Sequence, residues 1–585
     1  MKKISLILLL LAGTSLLKAD ILFDAEKRPG NARPNCQDLS YERGKDNKTK
    51  AGTAKGNGVC LCDTAATRLP QICSDGKSGA IVCWTERYRA TSDSDYDIFA
   101  QRVDSAGNIL WQSQGVPVCS LSNTSAWYPK MIADGSGGAI IAWEEWGRIA
   151  DGYTHVYAQR LDSLGNRLWA ENGVTVCSQM SGYVDLCSDG SGGAIIAYVD
   201  GRDEAATSDN IYTQRIDSAG NPVWPVDGVP VCVADSIQFW PQITSDRLYG
   251  AIITWWQDYR NGSNNKDVYA QRINSQGLAK WLVNGLGVCI KPGNQGGGQL
   301  CENSRGGAVI RWGDTNGSYV QSLDSNGVKL WDSNGVYTVG TFGNIKPILF
   351  GGGVSNSYAA QFVDSAGNLK WGGGILLHKD TTGGQYGATT SSDEGLIVVW
   401  DDYHVNINYA NQYVQKVDSN GNIMWGDSGA PACTLQMGYE TYPQITSDGL
   451  GGAICTWYGT PNHIVVQNRV YVQRVYDNGA VWGIAGEPPV DCEPRITELR
   501  IYPNPFKQST MINYQLATTC QVSLKVYNIT GQLVKIIADG VQSPGIYDLK
   551  WTGRDDRGKA VGSGIYIVRL AANGRNETKK IIFIK

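Results

Sequence analysis

The sequence predicts an all-β chain: an eight-bladed β-propeller, or seven blades plus a degenerate one, followed by a small Ig-like β-sandwich. Three observations predict it. A glutamine followed ten residues later by a tryptophan recurs at Gln101/Trp111, Gln159/Trp169, Gln214/Trp224, Gln271/Trp281, Gln321/Trp331, Gln361/Trp371 and Gln415/Trp425. An eighth pair, Gln473/Trp482, is one residue short. Each pair encloses a version of the turn Asp-Ser-x-Gly-Asn, with its glycine six residues after the glutamine, from Gly107 to Gly479. After Cys492 this pattern stops and a segment alternating between apolar and polar residues begins.

Residues 1–19 have the layout of a secretory signal peptide. Lys2 and Lys3 precede an apolar run from Ile4 to Leu17, and Ala19 offers a small residue for cleavage. A polar segment, residues 20–56, follows. No later stretch reaches the roughly 18 apolar residues of a spanning helix.

Residues 57–492 hold the repeats. The second copy breaks into short strand-like runs at Pro129–Ile132, Ala139–Trp143, Val156–Leu161 and Val174–Cys177, separated by turn residues. In the turns, Asp bonds the backbone two residues on, and Gly takes the positive-φ position. Four short strands per unit, with a large aromatic in each, match a propeller blade. Units open near Gly58, Gly115, Gly173, Gly228, Gly285, Gly335, Gly374 and Gly429. The sixth is short and is expected to lack a full strand. The glutamine–tryptophan pair suggests a contact shared between blades.

Charged residues make up 18% of the chain and the net charge is −4, which excludes the basic face of a nucleic-acid binder. Four scattered histidines, His155, His378, His404 and His463, form no metal spacing. Fifteen cysteines in an exported chain raise the question of disulfides. Spacing allows Cys62–Cys73, Cys177–Cys187 and Cys289–Cys301. Yet Cys119, Cys232 and Cys433 occupy the first slot in units whose second slot is not cysteine, which favours buried thiols.

The repeated "LDSxGNxLW" resembles the tryptophan-docking motif of quinoprotein-type propellers, which have eight blades. The dehydrogenases of that group carry adjacent cysteines, and many carry a haem site. This chain has neither a Cys-Cys pair nor C-x-x-C-H, so no cofactor is expected. In residues 493–585, Tyr502-Pro503-Asn504-Pro505-Phe506, Val526-Tyr527-Asn528, Trp551 to Asp555, Ser563-Gly564-Ile565-Tyr566 and the final Lys585 resemble the type A sorting domain of the type IX secretion system. The same segment resembles the Ig-like domain of the flagellar hook-capping protein. The resemblance implies two partners, an outer-membrane translocon and a sortase-like protease. It also implies delivery through the periplasm to the cell surface or beyond.

Candidate chemistry lies in the loops that differ between copies. In six units an acidic residue follows the aromatic that ends the second strand: Glu86, Glu145, Asp200, Asp314 and Asp402, with Asp258 one place later. Such recurrence fits a structural job. The flanking residues vary, however, and Glu145, Trp146, Trp256, Asp258, Tyr259 and Arg260 make the richest set. Aromatic rings stack on sugars and carboxylates accept hydroxyl protons, so a glycan or peptide ligand is the candidate. A glycan-acting hydrolase is the alternative, because glycosidases need two opposed carboxylates. Asp93, Asp95 and Asp97 place oxygens at alternate positions, a weak calcium pattern beside that of a solvated acidic loop. "GDSGAP" at Gly426–Pro431 imitates a serine-protease loop but falls in a repeat slot without a matching His and Asp.

Overall fold

The structure is a computed structural model. It describes residues 58–584 except 63–65, 88–94, 204–208, 263–264, 304–305, 339–349, 352–357, 378–385, 391–394, 407–408, 438–441, 460–467, 483–495, 517–519, 543–544 and 573–574. The leader, the polar segment and Lys585 lie outside the described residues. Among the described residues all regular elements are strands.

Up to Val475 the strands fall into consecutive antiparallel sets. The second set shows the rule: Ser125–Ala133, Ala139–Trp146, Thr154–Leu161 and Val174–Cys177 pair in chain order. The first set, Ala66–Ser74 through Val116–Cys119, touches it by one parallel bridge, Tyr96 to Ser125. The sixth set has only the short strands Phe350–Gly351, Tyr358–Ala360 and Ile375–Leu376 among the described residues. In the last set, Gln444–Ser447, Ala453–Gly459 and Arg469–Val475 have no chain-order fourth strand among the described residues. Val59–Cys62 fills that edge, with Val59 opposite Val472. The strand opening each sequence unit is therefore the outer strand of the preceding set, and this offset closes a ring: the chain is a β-propeller.

Tryptophans bind the ring together. The indole N–H of Trp111 donates to the carbonyl of Ser163 in the next set, and Trp169, Trp224, Trp281, Trp331, Trp371 and Trp425 repeat the step with Ser218, Ser275, Ser325, Ser365, Ser419 and Asp477. Trp482 returns to Ser105 at 3.0 Å and completes the circuit. The partner turn must come close. At Gly165, with φ +86°, an added Cβ would lie 2.9 Å from the Trp111 ring.

The glutamines do a different job. Gln159 donates to the carbonyl of Ala170 at 2.6 Å, and its oxygen accepts the backbone N–H of Arg160 and Trp169. Glutamine thus fixes the tryptophan within its own unit, while the indole alone reaches the neighbour; the expected shared contact is divided between the two residues. The short spacing of the eighth pair has a visible result. Both side-chain polar atoms of buried Gln473 lack a partner among the described residues.

The cores lie between adjacent sets. Ile81, Cys83, Ile98 and Trp111 of the first set pack against Ile141, Trp143 and Tyr157 of the second. The cysteines belong to these layers. Cys73, Cys177, Cys187 and Cys289 are buried free thiols, so none of the three spacing-allowed bridges forms. Burial raises the Cys177 thiol to about 12 and the Cys232 thiol to about 11.

Residues 496–584 form a two-sheet sandwich. Ile496–Tyr502, Thr510–Leu516 and Gly545–Trp551 make one sheet. Leu533–Gln542, Cys520–Asn528, Gly564–Ala572 and Arg575–Phe583 make the other. Its core is its own, built on Phe506, Trp551, Tyr566 and Phe583 with Leu524, Val568 and Leu570.

Candidate functional site

Antiparallel strands alternate their ends, so each propeller set sends its connections to two opposite edges. The Asp-Gly turns and the tryptophan-docked turns share one edge, occupied by the framework. The second-to-third-strand loops and the links between sets share the other, and the predicted residues fall there.

Glu86, Glu145, Asp200 and Asp258 are buried at that edge and bonded inward, whereas Asp314 is half-buried and accepts the N–H of Asn316 and Gly317 in its own turn. Glu145 is 0% exposed and accepts the indole N–H of Trp143 at 2.9 Å, the Cys119 thiol at 3.5 Å and Arg148 at 3.4 Å. Asp258, equally buried, accepts Trp255 at 3.0 Å and is bridged by Arg260. Asp200 accepts the Cys177 thiol at 3.3 Å and Arg202 at 2.6 Å. Each arginine lies over a tyrosine of the third strand: Arg148 over Tyr157, Arg202 over Tyr212 and Arg260 over Tyr269, at 3.9–4.1 Å. Arg260 also donates to the carbonyl of Asn284 and to Cys232 Sγ, both at 3.0 Å. Acid, indole, arginine, tyrosine and thiol form one interior assembly between neighbouring sets. The assembly is not complete in every set: the indole N–H of Trp457, two before Gly459, and that of Trp312, two before Asp314, have no partner among the described residues.

The aromatic members of the predicted set stand apart from this assembly. Trp146 is 38% exposed at a strand end. Tyr259 is half-buried, with Lys266 Nζ 5.6 Å from its ring centre. Trp256 is half-buried and stacks on Trp240, centroids 6.1 Å apart and planes 15° from parallel. Asp93 lies outside the described residues. Asp95 accepts the Asn123 N–H at 2.7 Å and Asp97 the Ser120 hydroxyl at 3.0 Å. Among the described residues no group of three His, Cys, Asp or Glu could hold a metal ion.

Sequence reasoning missed a second feature on the same edge. The first strands of neighbouring sets pack on one another and face the ring axis. Five of them carry a bulge: register shifts lie between Arg68 and Gln71, Trp127 and Lys130, Gly182 and Asp185, Phe239 and Gln242, and Gly296 and Gln299. The bulged residue has positive φ: Leu69, Tyr128, Tyr183, Trp240 and Gly297; Tyr442, two residues ahead of the strand Gln444–Ser447, shares the conformation. The signal was present in the sequence as Leu-Pro-Gln-Ile, Tyr-Pro-Lys-Met, Trp-Pro-Gln-Ile and Tyr-Pro-Gln-Ile.

In the sandwich, the predicted sorting residues gather beside the last strand. Asn504 accepts the Ile582 N–H and donates to the carbonyl of Lys580, both at 2.9 Å. Phe506 exchanges backbone hydrogen bonds with Ile582 and Ile584 and packs on Phe583 at 4.9 Å and Trp551 at 5.5 Å. Thr510 Oγ1 donates to the carbonyl of Pro503, which follows the 81% exposed Tyr502 and precedes Pro505. Gly564 opens the strand that carries Tyr566, whose ring meets Trp551 edge-on.

Residues 504–576 match the family model described as the FlgD Ig-like domain. No curated protein matches the chain. Among solved structures it is similar to PorZ, a surface component of the type-IX secretion system of Porphyromonas gingivalis, at 12% identity and TM-score 0.25, over 91% of this chain and 85% of that one. It is similar to an α-L-arabinanase of Penicillium chrysogenum at 11% identity and TM-score 0.31, over 71% and 98%. It is also similar to the Hadza microbial sialidase Hz136 at 12% identity and TM-score 0.30, over 58% and 63%. At these scores the architecture rests on the chain's own topology.

Proposed function

We propose that the chain is an exported binding and display protein, a propeller carried to the cell surface or released there by its C-terminal sandwich. The observation that supports this most is the convergence of Asn504, Phe506, Trp551 and Tyr566 on the final strand of a separately cored domain. The match of residues 504–576 to an Ig-like family agrees with it. In this reading an outer-membrane translocon recognises the sandwich and a sortase-like protease removes it. The signal peptide starts the route. The propeller is the cargo, and its variable edge presents a ligand-binding surface that includes Trp146, Trp256 and Tyr259.

The test is deletion of residues 502–585. The truncated chain should fold and stay in the periplasm; normal surface delivery without the sandwich refutes the reading.

The second reading, a glycan-acting hydrolase, is favoured by one carboxyl group. Asp185, on an axis-facing strand, has its pKa raised by burial, against the opposing pull of Lys130. Turnover of chromogenic glycosides by the purified chain would favour this reading.

A further inference from the structure

The bulged positions present a conformational oddity. Positive φ suits glycine, and in one set the residue is Gly297. In three others it is a large aromatic ring, Tyr128, Tyr183 or Trp240, with φ of +49°, +54° and +60°, and Tyr442 at the matching place before the last set's first strand has φ +41°. Bulky residues rarely adopt this conformation, and residues held there cluster at ligand clamps. A bulge also re-aims the side chain it carries.

The rings of the third and fourth sets join. Tyr183 meets Trp240 edge-on at 4.9 Å and Phe239 at 5.3 Å, and Trp240 continues into Trp256. Glu144 of the preceding set fixes the Tyr183 backbone, accepting its N–H at 2.7 Å. A polar side chain follows each bulged residue by two positions: Lys130, Asp185, Gln242, Gln299 and Gln444. Asp185 reaches across the sets and accepts the Ile243 N–H at 3.1 Å. The outcome is a half-buried aromatic platform edged by amides, one acid and one amine.

We infer that this platform binds an uncharged oligosaccharide, its sugar faces stacked on Tyr183, Trp240 and Trp256 and its hydroxyls bonded by Asp185 and Gln242. Rings supply the apolar face that a pyranose C–H surface prefers, and the polar residue two positions on supplies the hydroxyl partner. The regular polar edge does not suit an apolar peptide. The balance of Lys130 against Asp185 gives no net attraction for a polyanion. The inference rests on the binding role proposed above and supplies its ligand class and location.

The test uses the purified full chain on an array of uncharged and sulfated oligosaccharides, followed by calorimetry on the best uncharged binder. Trp240→Gly and Tyr183→Gly relieve the backbone conformation and remove the ring, and each should weaken binding about tenfold or more. Leu164→Ala, at an exposed docked turn on the opposite edge, should leave affinity unchanged. If the glycine variants do not fold, Gln242→Ala and Asp185→Asn keep the rings and should still weaken binding. The bound sugar should also shield wild-type tryptophan fluorescence from acrylamide. No uncharged binder, a preference for sulfated chains, or affinity unchanged in these variants overturns the inference. Glycan binding that survives the substitutions leaves the display role standing and moves the site. Surface delivery lost or kept on deleting the sandwich bears on the role alone.

Discussion

The indole N–H of Trp482 donates to the backbone carbonyl of Ser105, a bond between residues 377 positions apart in sequence. It makes the same contact as Trp111 with Ser163, yet it joins the last set to the first. Arg474 reinforces the junction by donating to the same carbonyl at 2.8 Å.

Trp482→Ala should therefore destabilise the propeller by about 3–5 kcal/mol, the usual effect of truncating a buried tryptophan. Trp482→Phe keeps a ring and loses only the hydrogen bond, so about 1 kcal/mol is expected. Chemical denaturation of the two variants checks the difference. Equal losses would mean that the bond to Ser105 outweighs the packing.

Gly165 and Gly152 share nearly the same φ, +86° and +85°, in different surroundings. A Cβ at Gly165 meets the Trp111 ring, whereas nothing lies within 4 Å of one at Gly152. Gly152→Ala should cost about 1 kcal/mol for backbone strain alone. Gly165→Ala should cost about 1–3 kcal/mol more from overpacking. Thermal melts of both variants decide whether the tryptophan dock is as tight as described.

Glu145→Ala and Trp146→Ala separate interior from surface at adjacent positions. The first leaves the indole N–H of Trp143 without its acceptor and Arg148 without its carboxylate partner. Loss of about 3 kcal/mol is expected, as for a broken buried pair. The second removes an exposed ring and should stay within about 0.5 kcal/mol. A large effect of Trp146→Ala on the melt would place that ring in the fold.

Acid should loosen the docking turns. The Asp162 carboxylate is opposed by burial, but hydrogen bonds from Asn166, Leu164 and Gly165 outweigh it and hold the pKa below the ordinary 3.8. Asp217 and Asp418 behave alike. For a carboxylate depressed in the folded state, the unfolded chain binds more protons. The stabilisation is thus full above pH 3.8 and disappears as pH falls through the lowered folded values. Replacing all three by Asn keeps the turn-forming side chain and should flatten this acid dependence. A melting-temperature profile against pH that is unchanged in the triple variant would exclude these turns as the cause.

The thiols give a simpler check. Cys73, Cys177, Cys187 and Cys289 are free and buried. A reductant should leave the melting temperature unchanged, and these four thiols should react with thiol reagents only as the chain unfolds. A drop in melting temperature on reduction would mean a bridge.

The framework was legible in the sequence because each of its parts needs a particular residue. Only glycine fits the turn against Trp111, and only an amide bonds as Gln159 does. The candidate site was less legible. Spacing located Glu145 and Asp258 at the variable edge but could not show that neighbouring indole, thiol and guanidinium groups turn them inward. Those contacts cross from one sheet to the next within a single sequence unit, a crossing that only the offset of the outer strand creates. The axial rings were hidden for the opposite reason. Tyr183 and Trp240 are not residues from which positive φ is read, and only their recurrence two positions before a polar residue marks them. In the sandwich, Phe506 and Trp551 were visible as motif residues. Their joint contact with Phe583 required the fold.

The pairing of Val59 with Val472 means that the ring is fastened by its earliest-made strand. A nascent chain synthesised from the N-terminus exposes that strand long before its partner exists. Neighbouring blades can assemble in succession, but the circle cannot lock until the segment around Arg469–Val475 has arrived. Such a contact carries a large loop-closure cost and forms late. Until then the chain is an open arc of blades with two unpaired sheet edges. The time spent in that state, more than the strength of any single blade, sets its exposure to aggregation and proteolysis.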